Sequence, residues 1–527
     1  MFSTALTGAL QGMNCYVVRV EVDISRGLPG IALVGFPGSE VAEAKERVRV
    51  ALRNASIELP LARITINLAP AGVRKEGTAF DLAIAMGILQ GMGQCKADFM
   101  SDTLFLGELG LNGVLKPVRG VLPILQEAVK QGIKRCVIPK ENAIEGAAVE
   151  RMEVYGVSHL MEALEFVKNP ERFERQCFDV EKLYDDERLR QEEDYSEVQG
   201  QEVAKRALEL AAAGFHNLLM IGPPGSGKSM LARRLPTILP PLTRQEGLEV
   251  SAVYSVAGMG KGKDVIRTKR PYLDPHHTIS EQALVGGGNI PRPGVISLAH
   301  KGVLFLDELP EFRRNVIDAM RQPLEDRQVT IARASGNYTY PADFLLVAAM
   351  NPCPCGYFPD LSRCNCTENA RRRYAGHVSG PIMDRMDMCV EVPQTTLFCD
   401  IRTAQDERWS SRQMRERVMA ARQRQQVRYR QECFAFNSRI PVRQLEHYCA
   451  LGSAELKLLG ELSGQLGLSA RTCHRMLKVA RTIADLDGIE RIGEKQIYEA
   501  LLYKTMEYTM AMLPGSYAGE EVKGGEA

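Results

Sequence analysis

The sequence predicts a multidomain α/β chain: an α/β or α+β unit first, then an α/β core with a parallel sheet around a glycine-rich loop, then a helical region. Three observations predict it. Apolar strand-like runs alternate with helical stretches up to about residue 168, the pattern of layered α/β units. The string NLLMIGPPGSGKSM (217–230) reads as a short apolar strand, a glycine-rich turn and a helix start. Beyond about residue 394 the apolar residues recur at helical spacing. At 527 residues the chain is also too long for a single hydrophobic core.

Taken in order, the first unit spans 1–168, with strands expected at 16–23 and 63–68 and helices at 41–54 and 80–90. Residues 169–194 are charged, poor in aliphatics and end in DDERLRQEED, so they read as a solvated linker. The second α/β unit, 195–393, contains the glycine-rich turn. Residues 394–512 form the helical region, and 513–527 read as a flexible tail. No internal repeat is visible.

Composition excludes several classes. Hydrophobic residues at 45% and charged residues at 25% are ordinary globular values. The net charge of +1 gives no global basic excess, so any nucleic-acid surface must be local. No signal peptide or membrane span is expected, because the first fifteen residues lack a basic start and no long apolar run occurs. Thirteen cysteines, odd in number and mostly scattered, suit free thiols in the cytoplasm better than a disulfide framework.

The glycine-rich turn satisfies G-x-x-x-x-G-K-S across Gly222, Pro223, Pro224, Gly225, Ser226, Gly227, Lys228 and Ser229. Glycines let backbone N–H groups close around phosphate oxygens, and the helix that follows presents its positive end. Lys228 is expected to reach the β- and γ-phosphates of ATP, and Ser229 to ligate Mg²⁺. Downstream, GVLFLDE (302–308) is an apolar strand ending in two carboxylates. Asp307 is expected to hold Mg²⁺ and Glu308 to polarise the attacking water. FLLVAAM (344–350) is a buried-type strand ending on Asn351, a polar group placed to hold that water.

VQGQ (198–201), the phosphate loop, Asp307-Glu308 and Asn351 stand in the order and spacing that resemble AAA+ ATPases. More narrowly, RPYLDPHHTIS (270–280), GVLFLDELPEF (302–312), NPCPCG (351–356), SGPIMDRMD (379–387) and LSARTCHRMLKVARTIADL (468–486) resemble the YifB/ComM family, also called magnesium-chelatase-like ATPases. The similarity runs from about residue 1 to 510. The resemblance implies an AAA+ core with a helical lid, sensor 1 at Asn351, an arginine finger at Arg385 and sensor 2 at Arg471. Arg371, Arg372 and Arg373 compete for the finger role. A guanidinium suits that task because it neutralises charge building on the γ-phosphate. A finger acting on a neighbour implies a homo-oligomeric ring, expected to be a hexamer.

The string NPCPCGYFPDLSRCNC places Cys353, Cys355, Cys364 and Cys366 as two C-x-C pairs. Four thiolates at such spacing suit a closed structural Zn²⁺ site, with free thiols and redox use as the alternatives. Residues 60–140 resemble the fold of the Lon protease catalytic domain, through EGTAFDLAIAMGIL and GELGLNGVLKPVRGV. The resemblance places Ala79 near the Lon serine and Ile124 near its lysine, which implies a non-catalytic domain.

Three places attract a nucleic-acid reading. The insertion between the phosphate-loop helix and Asp307 carries Lys261, Lys263, Arg267, Lys269 and Arg270. RQVTIARASGNYTYPADF (327–344) reads as a hairpin presenting Arg333, and resemblance to MCM-like relatives puts such hairpins in a central pore. Residues 402–430 hold nine arginines against three acids, which also suits a solvated helix face. The resemblance as a whole implies an ATP-driven motor acting on single-stranded or branched DNA, a branch-migration helicase of natural transformation. The alternatives are a chelatase-type ATPase that remodels a protein partner and a protein-remodelling or proteolytic machine. His276 and His277 have no role that the sequence supplies.

Overall fold

The computed structural model describes residues 1–95, 97–183, 193–260, 262–333, 336–394 and 407–511. The N-terminal unit is built on seven strands: β1 (Phe2–Gln11), β2 (Asn14–Ser25), β3 (Gly30–Val34), β4 (Arg63–Ala69), β5 (Thr103–Phe105), β6 (Arg135–Pro139) and β7 (Glu153–Val157). They lie in the order β3-β4-β2-β1-β5-β6-β7. β2 runs antiparallel to both β1 and β4, whereas β3–β4, β1–β5, β5–β6 and β6–β7 are parallel. The sheet is therefore mixed, as an α+β unit requires.

Strand period drives its core. Val18, Val20 and Val22 point inward and are buried, while Arg19, Glu21 and Asp23 point away. The helix Asp81–Gly91 is apolar all round and buried on nearly every side against β1 and β2. Its Gly87 is a close approach: a Cβ there would stand 2.9 Å from Val22 Cγ2.

The expected linker differs in its first part. Val180 is buried, and Phe178 and Leu183 pack against the N-terminal core. Gln176 N donates to Val154 O at 2.8 Å, so the chain is docked well past residue 168. Widely spaced apolar residues in a charged stretch were enough to bury one edge.

The second unit carries β8 (Leu218–Ile221), β9 (Tyr272–Leu273), β10 (Val303–Leu306), the hairpin β11 (Gln328–Arg333) and β12 (Gly336–Pro341), β13 (Leu345–Met350) and β14 (Met388–Glu391). Five of them form a sheet in the order β9-β10-β13-β8-β14, every pair parallel. β8, β10 and β13 are fully buried continuous apolar runs, as a sheet covered on both faces demands. In such a sheet ligands bind beyond the carboxyl ends of the strands. The phosphate loop, Asp307 and Asn351 all follow those ends.

The C-terminal region is helical, through Ser411–Arg428, Ser453–Leu466, Ala470–Asp487 and Glu494–Ala511. The tail at 513–527 lies outside the described residues. Asp194 ties the start of the core to this region, accepting from Ser411 N at 3.1 Å. The N-terminal unit is fixed to the core by polar contacts. Gly120 N donates to Ser255 O at 3.1 Å, and the buried Glu145 carboxylate accepts from Ser255 Oγ and from Leu122 N. Among the described residues no helix is long and apolar enough to cross a membrane.

Candidate functional site

The phosphate loop leaves β8 at Gly222, where a Cβ would lie 2.1 Å from Val392 O, so any side chain would strike backbone. Gly225 and Gly227 hold φ of +74° and +91°, the left-handed region that glycine enters without a Cβ penalty. Lys228 begins the helix Lys228–Arg233 and turns back over the loop. Its Nζ donates to Gly222 O at 2.7 Å, to Pro223 O at 2.9 Å and to Asn351 Oδ1 at 3.2 Å. Burial lowers the Lys228 pKa, and the charges of Asp307 and Glu308 oppose that shift.

Sheet register explains the convergence. Ile221 pairs with Met350, which sets Asn351 beside the loop. Leu306 pairs with Ala348, which sets Asp307 beyond the same edge. Ser229 Oγ donates to Asp307 Oδ2 at 2.5 Å, so a hydroxyl and a carboxylate meet as hard oxygen donors of the kind Mg²⁺ takes. Glu308 adopts φ +51° and its N–H donates to Asp307 Oδ1 at 2.9 Å. Two buried polar atoms of this neighbourhood, Ser226 Oγ and Gln201 Oε1, have no hydrogen-bond partner among the described residues. Gln201 Nε2 meanwhile reaches Ser226 O at 3.3 Å and Pro393 O at 2.6 Å. A loop of glycine backbone, an orphan serine hydroxyl and a lysine fits a nucleotide polyphosphate.

The expected finger, Arg385, and the expected sensor 2, Arg471, sit together. Arg385 pairs with Glu325 and donates to Pro381 O. Arg471 lies 3.5 Å from Asp384 and 3.7 Å from the same Glu325. Arg471 and Arg385 thus share one carboxylate, Glu325. Of the competing arginines, Arg371 donates to Cys366 O at 2.9 Å and stacks on Phe358, and Arg372 pairs with Glu368.

The four cysteines converge, with all their sulfurs within 4.8 Å of one another. Cys353 Sγ is 3.3 Å from Cys355 Sγ and 3.7 Å from Cys364 Sγ. A Zn²⁺–sulfur distance of about 2.3 Å implies sulfur–sulfur edges of about 3.8 Å in a tetrahedron, so the donor set fits that ion. The cluster also touches the phosphate loop, a contact between segments far apart in the chain. Gly356, at φ +85°, lies so close that a Cβ would be 2.4 Å from Pro224 Cδ.

The basic segments need correction as nucleic-acid surfaces. Arg270 is buried, donating to Lys301 O at 2.7 Å and pairing with Glu246, and Arg267 stacks over Tyr254. Lys261 lies outside the described residues. The arginine-rich helix turns much of its charge inward. Arg417 pairs with Glu209, Arg422 stacks on Phe436, Arg424 donates to Asp485 O and Arg428 pairs with Asp485. Buried carboxylates on neighbouring elements, invisible in a local charge count, account for this. Arg402 lies outside the described residues.

The hairpin β11–β12 forms with Gln328 opposite Pro341 and Arg333 opposite Gly336. Its tyrosines face inward: Tyr338 OH donates to Glu76 Oε2 at 3.1 Å and Tyr340 OH to Pro291 O at 2.6 Å. Its other face exposes Thr330 and Ala332, while Arg333 lies on the tyrosine face and is exposed at the hairpin tip. A cavity of about 370 Å³ beneath the hairpin is lined by Ala79, Ile124, Arg119 and Arg292, among others. Ala79 and Ile124 both line it, and neither offers a nucleophile or a base.

Comparison with known families follows this geometry along the chain. Residues 194–398 match the family described as magnesium chelatase, subunit ChlI; residues 20–142 match subunit ChlI of Mg-chelatase, and 408–504 match its C-terminal family. The uncharacterized protein YifB of Salmonella typhimurium is 40% identical over 504 residues, 95% of this chain and 96% of the relative. Competence protein ComM of Haemophilus influenzae is 41% identical over 498 residues, 94% of this chain and 96% of its own. The chain belongs to the YifB/ComM family of magnesium-chelatase-like AAA+ ATPases. The magnesium-chelatase 38 kDa subunit of Rhodobacter capsulatus is 30% identical over 174 residues, only 30% of this chain and 50% of that protein. Alignment with the YifB and ComM relatives therefore spans nearly the whole chain, whereas alignment with that 38 kDa subunit spans 30% of it.

Proposed function

We propose that this YifB/ComM-family chain is an ATP-driven motor on DNA, a branch-migration helicase resembling ComM and acting in recombination during natural transformation. The end-to-end match to a competence protein carries this reading. ATP and Mg²⁺ occupy the loop at Gly222–Ser229, with Lys228 on the phosphates and Ser229 and Asp307 as the metal donors. Glu308 polarises the attacking water and Asn351 orients it. Arg385 and Arg471, side by side on Glu325, act on the site of the next subunit in a hexameric ring. Their common partner Glu325 then yields to the neighbour's γ-phosphate. Zn²⁺ held by Cys353, Cys355, Cys364 and Cys366 is structural, since four thiolates leave no open position. The workplace is the cytoplasm, where the DNA is.

The DNA surface we favour is the hairpin tip at Arg333 together with the rim of the cavity beneath it. Arg292 pairs in a short ladder with Gly287, and a Cβ on Gly287 would lie 3.6 Å from Arg333 Nη2. Arg292 also depresses the Arg119 pKa, after burial, through like charge. Three guanidiniums near one another with no ion pair among the described residues suit a phosphate backbone. The N-terminal unit, Lon-like in our reading, serves as a non-catalytic platform against which this hairpin is braced.

The partial match to the chelatase subunit favours a second reading, an ATPase that remodels a protein partner. Steady-state ATP hydrolysis with and without single-stranded and branched DNA separates the two, with Glu308→Gln as control. DNA stimulation that the control abolishes supports the motor. An active ATPase indifferent to both DNA forms rejects it.

A further inference from the structure

His277 stands where the catalytic carboxylate needs a partner. β9 and β10 run parallel, with Leu273 paired to Leu304. His277 and Glu308 each lie four residues beyond those leucines, so one register delivers both to the same sheet edge. There His277 Nδ1 is 3.5 Å from Glu308 Oε2. Among the described residues no other cationic side chain stands within ion-pair distance of that carboxylate.

The loop holding His277 is anchored on both sides. His276 Nδ1 contacts Thr278 Oγ1 at 3.0 Å, and Ile279 N donates to His276 O at 3.0 Å. Ser280 caps the next helix through Ala283 N at 3.2 Å, and Glu281 of that helix accepts from Asn315 Nδ2 at 3.1 Å. The His277 ring packs against His276 at a tilt of 34°, centroids 4.1 Å apart, and meets Phe312 edge-on at 6.4 Å. Phe312 is buried and follows the short turn that begins at Glu308. The imidazole is thus held by packing from a neighbouring strand, while Glu308 sits on a left-handed backbone at the tip of its own.

As a stabilising contact this pair is worth little, because both groups are partly exposed. Orientation is a different matter: a base displaced by about 1 Å loses about 100-fold in rate. We propose that His277 is a positioning residue for Glu308, holding one carboxylate oxygen so that the other addresses the attacking water. The inference rests on the reading of Glu308 as the group that polarises water.

The test uses the full chain and four variants: His277→Ala, His277→Asn, Glu308→Gln and the His277→Ala/Glu308→Gln pair. Expected for His277→Ala is a fall in kcat of about 10- to 100-fold, with KM for ATP and affinity for ADP unchanged. His277→Asn, which keeps a donor, recovers part of the rate. The pair is no slower than Glu308→Gln alone, because the two residues act as one unit. A His277→Ala kcat within two-fold of the parent, or above it, overturns the proposal, as does a parallel loss of ADP affinity in both His277 variants. Full activity in Glu308→Gln would overturn the reading of Glu308 and this inference with it. An inactive Glu308→Gln beside an unimpaired His277→Ala overturns only the inference.

Discussion

Replacing Gly356 by alanine tests whether the cysteine loop supports the nucleotide site. The new Cβ would meet Pro224 Cδ at 2.4 Å and Cγ at 2.8 Å, and the residue holds φ +85°. A left-handed non-glycine residue costs about 1–2 kcal/mol, and overpacking adds about 1–3 kcal/mol. Pro224 is a rigid ring inside the phosphate loop, so part of this strain must move the loop that Lys228 clasps. If about 2 kcal/mol reaches the site, ADP binds roughly 30-fold more weakly. Titration of a fluorescent ADP analogue measures this, with zinc content per chain determined alongside. The expected result is one zinc per chain retained and ADP affinity lost. Unchanged ADP affinity with zinc intact would refute the coupling.

Arg385→Ala should leave ATP binding intact while hydrolysis falls by about 10³-fold or more, and mixing it with Glu308→Gln subunits should restore turnover at mixed interfaces. Absence of recovery on mixing would place the finger elsewhere. Asp485 is fully buried, pairs with Arg428 and Arg481, and accepts from Asn437 Nδ2 at 2.8 Å. Asp485→Ala leaves those guanidiniums uncompensated and should destabilise the helical region by about 3–5 kcal/mol, read by hydrogen exchange along Ala470–Asp487. Burial pushes the Asp387 carboxyl up, but His216, Arg475 and the N–H of Asn217 outweigh it and hold its pKa below the ordinary value. Its folded pKa being depressed, the stability it contributes is complete above the unfolded value of about 4 and is lost as pH falls through the folded one. Acid unfolding of Asp387→Asn should therefore be flatter than the parent's below about pH 4.

The phosphate loop, Asp307, Glu308 and Asn351 were legible because each follows an apolar strand, and strand ends in a parallel sheet share an edge. The cysteine cluster was legible from spacing alone. The charge readings fared worse, and for one reason. Arg270, Arg417 and Arg428 look like surface in a local window, yet their partners Glu246, Glu209 and Asp485 lie on other elements. The docking of Val180 was missed because one buried valine in a charged stretch leaves no periodic signal. His277 escaped for the same reason as the arginines: its contact with Glu308 exists only through the register of β9 on β10. The position of Arg471 beside Arg385 likewise depends on how the helical region folds over the core.

The central claim is that hydrolysis at this site moves DNA. The most direct measurement is the ATP-dependent displacement of a branch point in a three-stranded DNA joint, followed by gel for the parent chain and for Glu308→Gln. The account predicts branch movement by the parent that requires ATP and Mg²⁺ and is absent in the variant. A parent that hydrolyses ATP yet leaves the joint where it was would contradict it.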